Sequence, residues 1–545
     1  MKVLLIHPKF LPSFWSLAET CELGSHKTLL PPLGLLTVAA LLPVTWEFRL
    51  ADLNVRALTA DDWQWADLVM ISGMIIQREG VLNLVREAKD QGKTVVVGGP
   101  YATSLSQEVL DAGADFLIRG EAEDIISRLL AALERGNPRV VIEAAQRPEM
   151  TSSPVPRFDL VTFDDYVTMG IQTSRGCPFD CEFCDIVSLY GRKPRYKDPD
   201  QIIAELETLY RLGWRRTVFF SDDNFIGNKD HARAILVRLI PWMQDHGEPF
   251  GFWTQTSVNL GNDREMIDLL TAANFAYVFL GVETPEADIL RAAGKYQNLR
   301  NPLGESLATI NANGLNLVAS FIIGFDGEQS GAVDRIHRFV ETYAIPIVML
   351  NILEPLPHTR LWERLEKEGR LLHSQTSGNT CGMGFNYLPT RPQEEILTEF
   401  VRGIDRLYDP SAYLARAYRY FLNMRPTRRA LASQGQPKMA PKGSLLQTLA
   451  PTRQTSEGND LLALAKLIWR QGIRPAYRWQ FWRQILGIYR QNPSRMKAFL
   501  LACAMGENLF ALRREILHKW SRRTSAGQPE APCEYLSSAI GNNRK

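Results

Sequence analysis

The sequence predicts an α/β protein in three parts: an N-terminal doubly wound parallel sheet, a second and longer βα series, and a mostly helical C-terminal region. Three observations predict it. Over residues 1–150 short continuous apolar runs alternate with helical stretches, the pattern of a parallel sheet covered on both faces. Between Ile171 and Asn351 six more such runs recur, separated by helical stretches. After Leu361 the strand pattern ends and helical periodicity takes over.

In the first part strands are predicted at Val3–His7, Glu47–Leu53, Leu68–Ser72, Thr94–Val97 and, as the last, Phe116–Ile118. Helices are predicted at Pro32–Leu42, Gly80–Gln91 and Glu123–Arg135. Ligands of such sheets bind at the carboxyl ends of the strands. Those ends carry Asp52, Ser72, Gly73, Met74, Gly98-Gly99-Pro100 and Gly120-Glu121, and the small residues would let a large flat ligand approach the backbone. Residues 151–165 have the Pro/Ser content of a linker. In the second part, 166–360, strands are predicted at Ile171–Ser174, Thr217–Ser221, Phe250–Thr256, Tyr277–Gly281, Leu317–Ile323 and Ile347–Asn351. Its helices are predicted at Pro199–Leu212, Asp230–Asp245, Arg264–Ala273, Leu303–Asn313 and Gly331–Thr342.

Residues 361–424 read as a helical extension with an irregular insert at Ser374–Pro389, where Cys381 is a candidate pocket residue or a spare thiol. Residues 425–460 are rich in Pro, Gly, Ser, Gln and Thr and read as a flexible connection. Residues 461–520 read as a basic amphipathic helical domain, and 521–545 as a disordered polar tail.

The 545 residues are 45% hydrophobic and 22% charged, a composition suited to several globular domains. The longest apolar region, Leu29–Val44, is interrupted by Pro31, Pro32, Gly34 and Pro43 and is too short to span a bilayer. The opening M-K-V-L-L-I-H-P-K reads as a strand rather than a signal peptide. Four of the seven cysteines, Cys21, Cys381, Cys503 and Cys533, are scattered, so no disulfide framework is expected and a cytoplasmic location is.

Net charge is +2 but uneven. From Arg416 to Lys545 there are 23 Lys and Arg against 6 Asp and Glu, a charge of +17 that leaves −15 on the remainder. No nucleic-acid motif accompanies it, so no nucleic-acid partner is expected. Docking against the acidic remainder is the plain reading. Peripheral membrane contact through 461–520 is the other, because Trp479, Phe481, Trp482 and Tyr489 interleave with Arg478, Arg483 and Arg490.

The stretch with the most chemistry is Gly170–Leu189, G-I-Q-T-S-R-G-C-P-F-D-C-E-F-C-D-I-V-S-L. Cys177, Cys181 and Cys184 stand there in a C-x3-C-x2-C spacing. Three thiolates can hold three irons of a [4Fe–4S] cube and leave the fourth iron open to a small chelating ligand. Phe183 can shield such a cluster from water. A structural zinc site would want a fourth nearby Cys or His. The run resembles the cluster loop of the radical S-adenosylmethionine (SAM) enzymes, whose open iron chelates SAM and whose fold is a partial (β/α)6 barrel of the TIM type.

That resemblance implies further sites at the strand ends. Ser221-Asp222-Asp223-Asn224-Phe225 takes the place of the family's G-G-E motif without its glycines, so Asp222, Asp223 and Asn224 become candidates for holding the SAM ammonium. A helix N-cap is the competing reading of the same residues. Glu283, in G-V-E-T, matches the acidic residue that takes the ribose hydroxyls. Gly324, in I-G-F-D-G-E, matches the adenine contact. Pro355-Leu356-Pro357-His358-Thr359 resembles a P-L-P-G-T run, with His358 in place of glycine and a candidate proton donor.

Residues 1–150 resemble the Rossmann-like cobalamin-binding domain that precedes this core in one subfamily, on G-G-P-Y-A-T and R-G-E-A-E. The D-x-H-x-x-G motif of the wider cobalamin fold is absent; His7 and His26 stand in other frames. A flavodoxin-like sheet for another nucleotide is the alternative. The C-terminal third resembles the extra domain of hopanoid methylases. Together these imply a [4Fe–4S] cluster, SAM and cobalamin as cofactors, an external one-electron donor of the flavodoxin or ferredoxin type, and a C-methyltransferase acting on an unactivated carbon of a small substrate, with a lipid-like one favoured by the C-terminal third. An oxidative or ring-forming enzyme is the second reading and a non-catalytic sensor the third. A tRNA methylthiotransferase would bring a second cysteine triad before the core, which is absent.

Overall fold

The computed structural model describes residues 1–136, 139–372, 378, 383–432 and 457–525. The first sheet has six parallel strands: β1 Lys2–His7, β2 Glu47–Asp52, β3 Leu68–Ser72, β4 Thr94–Gly98, β5 Phe116–Arg119 and β6 Val140–Glu143. Their order is β2-β1-β3-β4-β5-β6. The chain steps to one side of β1 and then to the other, so a crevice opens beyond the carboxyl ends of β1 and β3. The alternate residues of each strand enter different cores. Leu4, Ile6, Val69, Ile71, Val95 and Val97 pack under the helix Arg78–Asp90. Val3, Leu5, Leu68, Met70 and Val96 pack under Leu33–Leu41 and Ile126–Arg135. Burial on both faces is why these strands read as unbroken apolar runs.

The sixth strand corrects the expectation that Phe116–Ile118 closes the sheet: β6 pairs with β5 from Phe116↔Val140 to Arg119↔Glu143. The expected linker is built into the core. It forms three short turns, with Phe158 buried and the Arg157 N–H donating to Leu36 O at 3.1 Å.

The second sheet runs β14-β13-β12-β11-β10-β7, sequential and parallel throughout. Its strands are β7 Thr168–Ile171, β10 Thr217–Phe220, β11 Gly251–Thr256, β12 Phe275–Glu283, β13 Asn316–Ile323 and β14 Ile347–Ile352. A helix follows each strand, which makes this the six-stranded partial (β/α)6 barrel. Its first strand lies three residues before the predicted Ile171–Ser174. Ser174–Arg175 instead forms β8, antiparallel to β9 Arg195–Tyr196, at the base of the cluster loop.

The C-terminal region closes the amino end of the barrel. The Tyr420 hydroxyl accepts from Leu317 N at 2.8 Å and donates to Leu315 O at 3.0 Å, at the start of β13. Helix Met496–Ser525 receives the Tyr413 hydroxyl on Ala502 O at 2.6 Å. That helix runs five residues past the expected boundary at 520. Most of the expected flexible connection, half of the insert, Cys381 among it, and all but the first five residues of the expected tail, Cys533 included, lie outside the described residues. No helix among the described residues is long and apolar enough to cross a membrane.

Candidate active site

The cluster loop is held at its base and at its middle. Asp222 is fully buried, and its carboxylate accepts from Thr173 N at 2.8 Å, Thr173 Oγ1 at 2.7 Å, Ser174 N at 2.5 Å and Ser174 Oγ at 3.1 Å. Three donors converge on Oδ1 and one takes Oδ2, all within the buried base of the loop, so Asp222 shapes the backbone before Cys177. Asp223 accepts from Gly176 N at 2.8 Å, and burial pushes its carboxyl up to about 7. Gly176 has φ 98°, and a Cβ there would press on Gly191 O. Asn224 turns away to Ser257, accepting from its N–H at 3.2 Å. Of the three candidates, only Asp223 keeps an oxygen towards the loop.

The loop's middle is clamped from two sides. Glu182 N donates to Ala293 O at 2.9 Å, and Glu182 is paired with Arg364 at 2.6 Å. Asp180 is paired with Arg360 at 2.7 Å. The three cysteines are free thiols, partly buried. Burial pushes Cys177 up to about 11 and Cys184 well above the usual thiol value. Among the described residues no three His, Cys, Asp or Glu converge on a single metal ion. A cubane asks for something different, since each thiolate takes its own iron. Three thiols outside any disulfide on one clamped loop are a donor set that fits it.

Glu283 owes its direction to a bulge. Between Gly281↔Ser320 and Glu283↔Phe321 the register shifts, leaving Val282 as the extra residue. Glu283 takes φ 66°, a conformation costing about 1–3 kcal/mol that concentrates at functional sites. Asn298 Nδ2 holds the bulge by donating to Gly281 O and Val282 O, both at 3.0 Å. The Glu283 carboxylate then forms an ion pair with the partly buried Lys295. Burial works against the Lys295 charge, but Glu283 and the Cys181 and Cys184 sulfurs keep the ammonium on. Gln297 Nε2 donates to Cys181 Sγ at 3.4 Å.

Lys295, Gln297 and Asn298 are invisible to sequence reasoning. They lie on a single 3-10 turn, Tyr296–Leu299 with Lys295 as its N-cap, too short to show a periodicity, and the only hint is that a carboxylate at a strand end asks for a cation. Phe183 packs edge-on against Phe325 at 5.7 Å, with Lys295 Nζ 5.7 Å over its ring, so an apolar wall adjoins the thiols. Gly324 has φ 96°, but its N–H donates to Glu328 at 2.8 Å and its carbonyl accepts from Tyr387 at 2.6 Å. Both of its backbone groups are taken within the fold.

The carboxyl edge of the first sheet is joined to this loop. Glu121 accepts from Arg175 at 2.7 Å and from Arg195 at 2.6 and 2.9 Å, while Glu123 pairs with Arg175 at 2.8 Å. Glu121 therefore ties β5 to the β8–β9 base. Asp52 is likewise committed, accepting from Asn54 and, at 3.0 Å, from the Tyr166 hydroxyl. The residues open to a ligand are the small ones. Gly120 has φ 85° with nothing within 4 Å of where a Cβ would stand. Gly99 has φ 91° and lies on Ser72 Oγ, ahead of the short helix opened by Pro100. Met74, 51% exposed, stands at the mouth. This edge of backbone and small residues fits a large flat cofactor.

His7 is buried beneath it, its ring nitrogens facing Ser72 O and Gln77, each at 3.3 Å. His26 sits on Asp164 O at 2.9 Å. Gly99→Val is expected to abolish cobalamin retention, because it adds left-handed strain and an overlap with Ser72. Gly98→Ala, whose Cβ would meet Ile118 at an ordinary 3.4 Å, is expected to retain it; absorbance of the purified proteins checks both.

His358 does not reach the site as a free acid. It occupies a left-handed position, φ 64°, and its Nε2 faces Ser104 O at 2.8 Å, a second tie between the two sheets. The left-handed φ explains why the resembling run has glycine there. His358→Gly is expected to leave the pH dependence of turnover unchanged, which a rate–pH profile checks.

The chain matches three family models in succession: B12 binding domain over residues 23–130, Radical SAM superfamily over 171–340, and a domain of unknown function, DUF4070, over 359–521. It is 47% identical to an uncharacterised methyltransferase of Synechocystis sp., covering 95% of this chain and 93% of that one. It is 32% identical to hopanoid C-2 methylase of Rhodopseudomonas palustris, covering 94% of each. Among solved structures, the cobalamin-dependent SAM radical enzyme OxsB with aqua-cobalamin bound aligns at a TM-score of 0.56 and 14% identity, over 97% of this chain and 81% of that one. The methyltransferase TsrM of Kitasatospora setae aligns at 0.53 and 18%, over 67% and 78%. The chain belongs to the cobalamin-binding radical SAM family of methyltransferases, in the branch that includes hopanoid C-2 methylase, and its cofactors are a [4Fe–4S] cluster, SAM and cobalamin.

Proposed function

We propose that the protein methylates an unactivated carbon of a small, lipid-like substrate on the cytoplasmic side of a membrane, with an external flavodoxin- or ferredoxin-type protein as electron donor. When bound, the cofactors supply the radical and the methyl group. The chain's own part is to hold and to exclude. Cys177, Cys181 and Cys184 would hold the cluster. Asp223 and the Glu283–Lys295 pair offer opposite charges beside it, suited to the amino, carboxylate and ribose groups of SAM. Phe183 and Phe325 keep water from that wall. Gly99 and Gly120 let a flat ligand lie against the backbone of the facing sheet. No general base is required by this reading.

The observation that carries it is the fixed apposition of cluster loop and first-sheet edge through Glu121, Glu123, Arg175 and Arg195. The likeness to hopanoid C-2 methylase over 94% of the chain supports a lipid-like substrate. Mass spectrometry of lipid extracts from cells with and without the gene tests it. A lipid one methylene heavier is expected only with the gene; identical lipid profiles would reject the lipid-like substrate.

A further inference from the structure

The basic C-terminal residues fall into two sets. One set is matched by acidic residues earlier in the chain: Arg416 and Arg419 with Glu341, Arg425 with Asp268, Arg470 with Glu19 and Glu22, Arg513 with Asp405. Docking against the acidic remainder thus accounts for these. The other set does not dock. Arg474, Arg483 and Arg490 are exposed and make no ion pair among the described residues.

The second set has a pattern. On helix Arg478–Gln491 the residues Trp479, Arg483, Leu486 and Arg490 recur at helical spacing along one outward stripe, and all four are exposed. Trp479 is 73% exposed. The opposite face, Phe481, Gln484, Ile485 and Ile488, is buried. The preceding turn adds Trp469, Ile473 and Arg474, again exposed. Gly472 fixes the two segments at one corner: a Cβ there would press on Phe481 and Trp482, and Trp482 Nε1 donates to Gly472 O at 2.8 Å. Beside Arg483 lies a hollow of about 460 Å³, lined also by His337, Tyr418, Arg419 and Gln480, whose one carboxylate, Glu341, is already matched by Arg416 and Arg419.

We propose that this corner is a docking surface for an anionic phospholipid bilayer, with Trp469, Ile473, Trp479 and Leu486 entering the interface and Arg474, Arg483 and Arg490 meeting the headgroups. Alternation of tryptophan, leucine and arginine with no acidic residue on the stripe is the chemistry of a helix lying in a membrane interface. A protein partner would need a carboxylate for each arginine and an apolar pocket for each indole at fixed places; a bilayer supplies both everywhere. The proposal rests on the stripe and does not depend on which molecule is methylated.

The test is co-sedimentation of the full-length protein with vesicles of phosphatidylglycerol and phosphatidylcholine, or of phosphatidylcholine alone. Binding is expected to the anionic vesicles at low salt and to weaken at high salt. Arg483→Glu/Arg490→Glu and Trp479→Ala/Leu486→Ala change only exposed side chains, so thermal unfolding and cluster absorbance should match the parent protein. Each is expected to lower the apparent affinity by about tenfold or more. No binding by the parent protein, binding that both double variants retain, or self-association that the variants abolish while vesicles are ignored would each overturn the proposal. A positive result beside unchanged cellular lipids would leave it standing and remove only the lipid-like substrate.

Discussion

Replacing any one of Cys177, Cys181 and Cys184 by Ala will remove the broad visible absorbance of the reconstituted protein and all 5′-deoxyadenosine formation. The three thiols are free, and they sit on one clamped loop. Two thiolates cannot retain a cube that needs three. Cys21→Ala and Cys503→Ala are expected to change neither readout. Both residues are buried away from the loop, and burial pushes the Cys21 thiol up to about 12, which leaves it protonated and inert. Iron and sulfide analysis with chromatography of the nucleoside products checks the set. Normal 5′-deoxyadenosine from Cys181→Ala would remove the cluster from the reaction.

Glu121→Ala will destabilise the protein and loosen the junction of its two sheets. The substitution strands Arg195, 7% exposed at its side chain, with only the Pro148 and Tyr190 carbonyls as partners, and takes from Arg175 one of its two carboxylates. Removing one member of a buried pair costs about 3–5 kcal/mol. The expected readout is a large fall in the midpoint of the first urea transition together with loss of cobalamin during purification. Glu121→Gln keeps the shape and should lie between. If Glu121 served only as a cofactor contact, Glu121→Ala would weaken cobalamin retention and leave the urea midpoint unchanged.

The strands were legible because each is buried on both faces and therefore apolar throughout. β6 was not, since only Val140, Val141 and Ile142 are apolar and Glu143 follows at once. The first barrel strand begins three residues before Ile171, hidden because Gly170 interrupts its apolar run, and it ends there because the buried Asp222 takes the N–H groups of Thr173 and Ser174 out of the sheet. In the site, the cysteines announce themselves by spacing. Carboxylates do not. Asp52, Asp222 and Glu121 stand at strand ends as a ligand residue would, yet each is filled by donors from elsewhere in the fold, and those donors are 2 to 114 residues away in sequence. Lys295 and Gln297 were missed for the complementary reason: their partners, Glu283 and Cys181, are brought to them only by the bulge and by the contact of Gly294 with Asp180.

Methyl transfer by a radical enzyme requires both halves of the chain to act together. It is tested most directly by incubating the anaerobically reconstituted protein with SAM, cobalamin, a one-electron reductant and a lipid extract from cells lacking the gene, and measuring 5′-deoxyadenosine and S-adenosylhomocysteine together. Both are expected to form in parallel and to require the extract, and Gly99→Val, by excluding cobalamin, is expected to stop S-adenosylhomocysteine. Steady formation of 5′-deoxyadenosine without S-adenosylhomocysteine would contradict it and would place the protein among radical enzymes that oxidise or cyclise their substrates.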